Sequence, residues 1–190
     1  MTNLEFEITA TGPISEKFLA QNNFTFSQAA TYVRQLPYRR NKNKADLASI
    51  FTDGCGTCST KHAILKVLAD ENGYKDLRLM LGIFRMSLTN TPKISTTLRK
   101  HRLEYIPEAH NYLKWKNQTL DYTHKTSKPT DFISDLIEEI EIEPHQIIDF
   151  KVAYHKQFLA RWLNQNPALN LTLSKLWAIR EDCIVDLSIA

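Results

Sequence analysis

Between Ser59 and Asn72 the apolar residues Ala63, Ile64, Leu65, Val67 and Leu68 recur at the i, i+3, i+4 spacing of a helix with one buried face, and Gly73 supplies a stop. The run Leu77-Arg78-Leu79-Met80-Leu81-Gly82-Ile83-Phe84 reads as a strand. Residues Ile106 to Thr123 read as a β-hairpin turning near Lys116-Asn117. Glu and Ile alternate from Leu136 to Ile142, which fits one more strand. After Ser127-Lys128-Pro129-Thr130 the pattern turns helical. Pro144 can start a helix running through Phe150, Tyr154, Phe158 and Trp162, and another spans about Leu173 to Val185.

The hairpin carries a sharper expectation. With a two-residue loop, directly opposed positions have opposite parity, so one face collects Leu113, Trp115, Leu120 and Tyr122. The other face collects His110, Tyr112, Thr119, Asp121 and Thr123, all polar. A one-residue slip would send the apolar set to the wrong side, so this sorting favours the even loop. Asp121 can then accept from one ring nitrogen of His110 and leave the other for a nucleophile.

Cys58 is the candidate nucleophile. It ends the run Asp53-Gly54-Cys55-Gly56-Thr57-Cys58, with Thr57 as the expected N-cap and Cys58 at the first helical position. There the amides lacking helical partners and the positive end of the helix dipole favour thiolate over thiol. An unshifted thiol would be only about 3% ionised at neutral pH. Cys58, His110 and Asp121 are thus the residue types of a thiol nucleophile, its base and the group that orients the base.

This set resembles the transglutaminase-like superfamily of papain-like cysteine enzymes. Gly56-Thr57-Cys58, His110-Asn111-Tyr112 and Asp121-Tyr122-Thr123 match that family's three motifs in the same order. Gly73, the strand from Leu77 and the segment Tyr32-Val33-Arg34-Gln35-Leu36-Pro37-Tyr38 stand where the family has a helix end, a strand and a Tyr-containing element. The likeness covers roughly residues 28 to 123. It departs at His62, where an Ala is usual, and at Tyr122, where Pro is frequent, and these differences bear on substrate class. No acidic cluster suggests the calcium sites of animal transglutaminases.

The resemblance implies an α+β, papain-like fold with the Cys58 helix packed on an antiparallel sheet, followed by C-terminal helices. The chemistry implied is acyl transfer on a peptide, protein or small amide through a thioester, without cofactor or metal. The Cys58 N–H would meet the oxyanion, with Gln35 as the candidate second donor.

At 190 residues the chain is expected to form one domain, with a core over about 28–123 and a helical cap over about 144–187. No segment reaches the apolar length of a membrane span. The stretch Met1-Thr2-Asn3-Leu4-Glu5-Phe6-Glu7-Ile8 lacks the basic and apolar regions of a signal peptide, and the chain has only three cysteines. Both point to a cytoplasmic, reducing setting. The net charge of +3 is modest, and the basic runs Arg39–Lys44 and Arg99–Arg102 lack interleaved aromatics, so no nucleic-acid partner is expected.

Three alternatives stay open. Cys55-Gly56-Thr57-Cys58 is also a C-x-x-C, which suits thiol–disulfide exchange; a thioredoxin-like chain should place a strand just before it, whereas Asn41–Phe51 reads as a polar loop and a short helix. Zinc could take Cys55, Cys58 and His62 with Cys183 or His101, but a structural site uses two close pairs and only one is present. The third alternative is a non-catalytic binding module on the same scaffold. Cys183, among Ile184, Val185 and Leu187, reads as a core thiol, and His62 as a helix-face residue near Cys58.

Overall fold

The computed structural model describes residues 4–9 and 12–188. The expectation for the N-terminal stretch falls in part on residues 1–3, which lie outside the described residues. The helices are α1 (Pro13–Ala20), α2 (Phe26–Gln35), α3 (Ser49–Asp53), α4 (Cys58–Glu71), α5 (Ser95–Lys100), α6 (Asp149–Gln165) and α7 (Leu173–Ser188). The strands β1 (Arg78–Ser87), β2 (Tyr105–Trp115), β3 (Gln118–Leu120) and β4 (Leu136–Ile142) form one antiparallel sheet in the order β3-β2-β1-β4. The architecture is α+β. No helix among the described residues is long and apolar enough to cross a membrane.

The chain divides into two compact units, each built from separated segments. The first contains the residues up to Leu81, then Asn111–Pro129 and Ile140–Ile148; the second contains Gly82–His110, Thr130–Glu139 and the residues from Asp149 onward. The C-terminal helices α6 and α7 therefore share a unit with parts of β1, β2 and β4.

In the first unit α4 packs against α1, α2 and a short 3-10 turn at Pro144–Ile147. Its residues from Cys58 to Lys66 are buried without interruption, as are Leu68 and Ala69. The expectation of a single buried face is corrected here. The helix has neighbours on several sides, and its polar residues find partners inside the protein. Ile64, Leu65 and Leu68 are fully buried, each contributing about 1.5–3 kcal/mol relative to exposure.

The ends of α4 follow from local chemistry. Thr57 is the N-cap in extended backbone, and its N–H donates to the Thr60 hydroxyl at 3.1 Å. At the other end Gly73 takes φ +83°, a left-handed conformation open to glycine, and the Tyr74 N–H closes onto the Ala69 carbonyl at 2.8 Å. The Glu71 carboxylate accepts from the Ile14 and Ser15 N–H groups at 3.0 and 2.6 Å. The last turn of α4 thereby satisfies first-turn donors of α1.

A reciprocal cap between Thr25 and Gln28 starts α2, whose buried residues are Phe26, Ala29, Ala30 and Val33. The helix ends where Leu36, preceding Pro37, is pushed into extended backbone. The hairpin has the expected two-residue loop, with Leu113 opposite Leu120, Lys114 opposite Thr119 and Trp115 opposite Gln118. However, β3 ends at Leu120, so Asp121, Tyr122 and Thr123, expected on the strand, lie beyond it in a turn that the Asp121 carboxylate closes on the Thr123 N–H. β4 spans the predicted residues. The turn that begins at Pro144 does not run on into α6. It stops at Ile147, and Ile148 adopts φ −100°, ψ −109°, so the long helix starts only at Asp149.

The second unit buries Leu98, Leu103, Ile106, Phe158, Leu159, Leu176, Ile179 and Ile184. Within this apolar set sits an ion pair: Arg180 on α7 grips Glu108 on β2 through its Nε and Nη2, the Nε lying 2.8 Å from Oε2. Burial alone would raise the Glu108 carboxyl, but Arg180 holds it below the ordinary carboxylate value. His155 on α6, also buried, donates from Nε2 to the Pro107 carbonyl at 2.8 Å, and burial lowers its pKa.

Candidate active site

The start of α4 is approached by extended chain. The Gly56 N–H donates to the Pro37 carbonyl at 3.1 Å, and the Arg39 N–H donates back to the Gly56 carbonyl at 3.3 Å. A Cβ on Gly56 would lie 2.9 Å from the Thr60 hydroxyl and 3.1 Å from Lys61 Cγ, so the glycine of Gly-Thr-Cys is required by crowding. Buried Asn41 ties the same turn together, donating from Nδ2 to the Cys55 carbonyl at 2.9 Å and accepting from the Thr60 hydroxyl at 2.8 Å. No strand precedes the C-x-x-C; the short helix α3 does.

Cys58 is the first residue of α4 and only 6% exposed. Its Sγ lies 4.0 Å from the Ser59 hydroxyl. As a first-turn residue its N–H has no acceptor within the helix, and the thiol sits at the end of the dipole that favours negative charge.

The Asp121-Tyr122-Thr123 turn docks onto the same stretch of α4. Asp121 Oδ1 accepts from the Thr123 N–H at 2.9 Å and from the Thr123 hydroxyl at 2.5 Å, which accounts for the Asp-x-Thr pattern as a carboxylate braced by its own turn. The Tyr122 N–H donates to His62 Nε2 at 2.7 Å, and His62 Nδ1 lies 2.7 Å from the Cys58 carbonyl. A backbone N–H can donate only to an unprotonated nitrogen, so Nδ1 carries the hydrogen and the ring is neutral. The 3.5 Å approach of Asp121 Oδ1 to Nε2 is therefore not an ion pair. His62, fully buried, links the first turn of α4 to the Asp121 turn.

Lys61 completes this docking. It has no solvent exposure, and its ammonium donates to the Leu36 carbonyl at 2.5 Å and the Thr123 carbonyl at 2.7 Å. Burial pushes it down to about 8, against the charges of Cys55, Cys58 and Asp121, which push it up.

No family model, curated protein or solved structure matches this chain.

Cys58 and Asp121 therefore lie in one unit, both buried. His110 is the last residue of its β2 segment in the second unit, half-buried and edge-on to Phe132 with ring centres 4.8 Å apart. The next residue, Asn111, belongs to the first unit, where its amide oxygen accepts from the Ser59 hydroxyl at 3.0 Å and its nitrogen donates to the Met80 carbonyl at 2.9 Å. Gln35 is the exposed last residue of α2.

Cys183 is a fully buried thiol of α7 that burial pushes up to about 12, as suits a core position. Among the described residues no group of three His, Cys, Asp or Glu side chains is placed to hold a metal ion. Two residues were not anticipated in these roles. Lys61 and His62 follow Cys58 by three and four positions, so all three share a helix face. The signal for both was an unbroken polar run, Ser59-Thr60-Lys61-His62, opening a helix that is otherwise apolar on its inner side.

Proposed function

We propose that this protein is a thiol-dependent acyl-transfer enzyme of transglutaminase-like type with a papain-like core. Cys58 is the nucleophile, His110 the general acid and base, and Asp121 the residue that orients the imidazole. The observation that carries this reading is the docking of the Asp121 turn on the first turn of α4, where the Tyr122 N–H donates to His62 Nε2. The position of Cys58 at the start of α4 and the bracing of Asp121 support the same assignment.

In the proposed reaction His110 takes the Cys58 proton and the sulfur attacks an amide or ester carbonyl, forming a tetrahedral oxyanion. The Cys58 N–H meets that charge, with Gln35 as the candidate second donor. Collapse expels the amine or alcohol, which receives the proton from His110 and leaves a thioester on Cys58. Water or an amine, deprotonated by His110, then attacks the thioester and regenerates the thiol. The acceptor decides between hydrolysis and transamidation, and a peptide, protein or small amide supplies the acyl group.

Electrophilic acyl probes applied to the purified protein across pH, with adduct mapping by mass spectrometry, test the assignment. Labelling should concentrate on Cys58, vanish in Cys58→Ala and fall at least tenfold in His110→Ala. Equal labelling of Cys55 and Cys58, unaffected by His110→Ala, would move the reading to thiol–disulfide exchange.

A further inference from the structure

Lysine is almost never fully buried without a partner of opposite charge, and Lys61 is fully buried. Both of its hydrogen-bond acceptors are carbonyl oxygens, which solvate an ammonium but do not cancel its charge. A packing role needs no charge, since a methionine of similar length would fill the same space without the desolvation penalty. The placement of this cation points elsewhere. Lys61 lies one turn after Cys58 on the same face of α4, a spacing that brings Cβ atoms to about 5–6 Å. Its clamp reaches the residue two beyond Asp121.

We propose that Lys61 is a positioning residue whose buried ammonium supplies the positive charge that lets the Cys58 thiolate and the Asp121 carboxylate coexist in one low-dielectric site. The proposal rests on the acyl-transfer reading for its reactive state. There a Cys58 thiolate, a protonated His110 and an ionised Asp121 sum to one negative charge. Lys61 brings the sum to zero, which matters because uncompensated charge inside a protein is costly.

The other charged groups around α4 are engaged elsewhere. On α2, Arg34 donates to the His124 and Ser127 carbonyls at 3.2 and 2.7 Å. Glu71 is held by the first turn of α1, Lys66 pairs with Asp70, and Asp53 accepts from the Lys42 N–H and from Asn41. Arg39 stands at the surface, and Cys55, whose thiol lies 4.0 Å from the Arg40 carbonyl, is the other thiol whose charge acts on Lys61. His62 is neutral by its hydrogen bonds, and Glu16, Lys17 and His145 are the remaining ionisable side chains on α1 and on the turn at Pro144–Ile147.

The test is the pH dependence of iodoacetamide alkylation at Cys58, mapped by mass spectrometry, in wild type, Lys61→Met, His110→Ala and Lys61→Met/Asp121→Asn. Methionine at 61 should raise the Cys58 thiol pKa by at least one unit, slowing alkylation near pH 6 about tenfold. Removing the Asp121 charge as well should recover most of that loss. A lysine that only braces the fold would lower the urea midpoint and leave the thiol titration at its wild-type position, and that result overturns the proposal.

If Lys61→Met does not fold, the double variant decides. Restored folding supports charge balance with Asp121, and a double variant as unfolded as the single one overturns it. The His110→Ala arm separates the two readings. A thiol pKa raised by Lys61→Met but untouched by His110→Ala sinks the triad and keeps Lys61, while the reverse pattern sinks Lys61 and keeps the triad.

Discussion

Arg180 and Lys61 are both cations removed from water, one in each unit, and they are handled in opposite ways. Arg180 meets Glu108 through two parallel hydrogen bonds and a further contact with Glu181, so its charge is cancelled where it stands. Burial works against the Arg180 charge, and Glu108 more than offsets it, holding the pKa above the ordinary value. Lys61 has only carbonyl acceptors and is pushed down to about 8. A cancelled charge fixes a helix against a strand and has nothing left to act on. A charge that is solvated but not cancelled still exerts a field on the thiol and carboxylate beside it.

The largest effect is expected in the second unit. Glu108→Ala leaves Arg180 buried without its partner and should lower unfolding free energy by about 3–5 kcal/mol in urea titration. A loss under 1 kcal/mol would mean that the pair is not what secures α7, and the contrast with Lys61 would dissolve. In the first unit, His62→Phe keeps a ring of similar size but leaves the Tyr122 N–H without its acceptor and removes the Nδ1 bond to the Cys58 carbonyl. The expected cost is about 2–3 kcal/mol, together with slower alkylation of Cys58 as the first turn of α4 loosens.

Acid and alkali should separate the two regions by pH window. Glu108 has a folded pKa below its unfolded value, so its contribution is present above the unfolded carboxylate value and is lost as pH falls through the folded one. Lys61 also has a folded pKa below its unfolded value, but as a base. Between about 8 and 10.5 the unfolded chain binds more protons, so stability gains from this residue as pH rises through that window. Urea midpoints compared between wild type and Lys61→Met at pH 7.5 and 10 should show wild type gaining on the variant as pH rises; parallel lines would contradict the lowered Lys61 pKa. The smallest effect is expected for Thr123→Val, which removes one hydroxyl bond to Asp121 while keeping the carbonyl that Lys61 uses. It should cost about 1 kcal/mol and shift Cys58 alkylation by less than threefold.

Some of these features were legible in the chain and others were not, for reasons that differ by element. Glu/Ile alternation located β4, although Glu138 and Glu139 are adjacent, and the sorting of Leu113 and Leu120 against Thr119 fixed the hairpin loop, because a strand's faces follow parity. The start of α4 followed from Thr57 and the two glycines before it. The burial of Ser59, Thr60, Lys61 and His62 did not follow. A polar side chain looks the same in sequence whether it faces solvent or an internal acceptor, and the acceptors here are backbone groups at Leu36, Tyr122 and Thr123 together with Asn41 and Asn111. Pro144 was read as the start of a long helix, since its fixed φ suits a first turn. What stops that turn is Ile148, whose backbone angles nothing in its side chain announces.

The clamp on Lys61 also sets an order of events during synthesis. Its two acceptors lie 25 residues before it and 62 after it, and the later one joins the chain only when the hairpin is complete. A nascent chain that ends before Thr123 has no means of dehydrating this ammonium, so α4 must wait with its polar turn in water. Cys58 would behave as an ordinary thiol throughout that interval. Cys58, three residues before Lys61, thus keeps an unfinished setting until the hairpin has been made, and a product truncated before Thr123 lacks the Lys61 clamp.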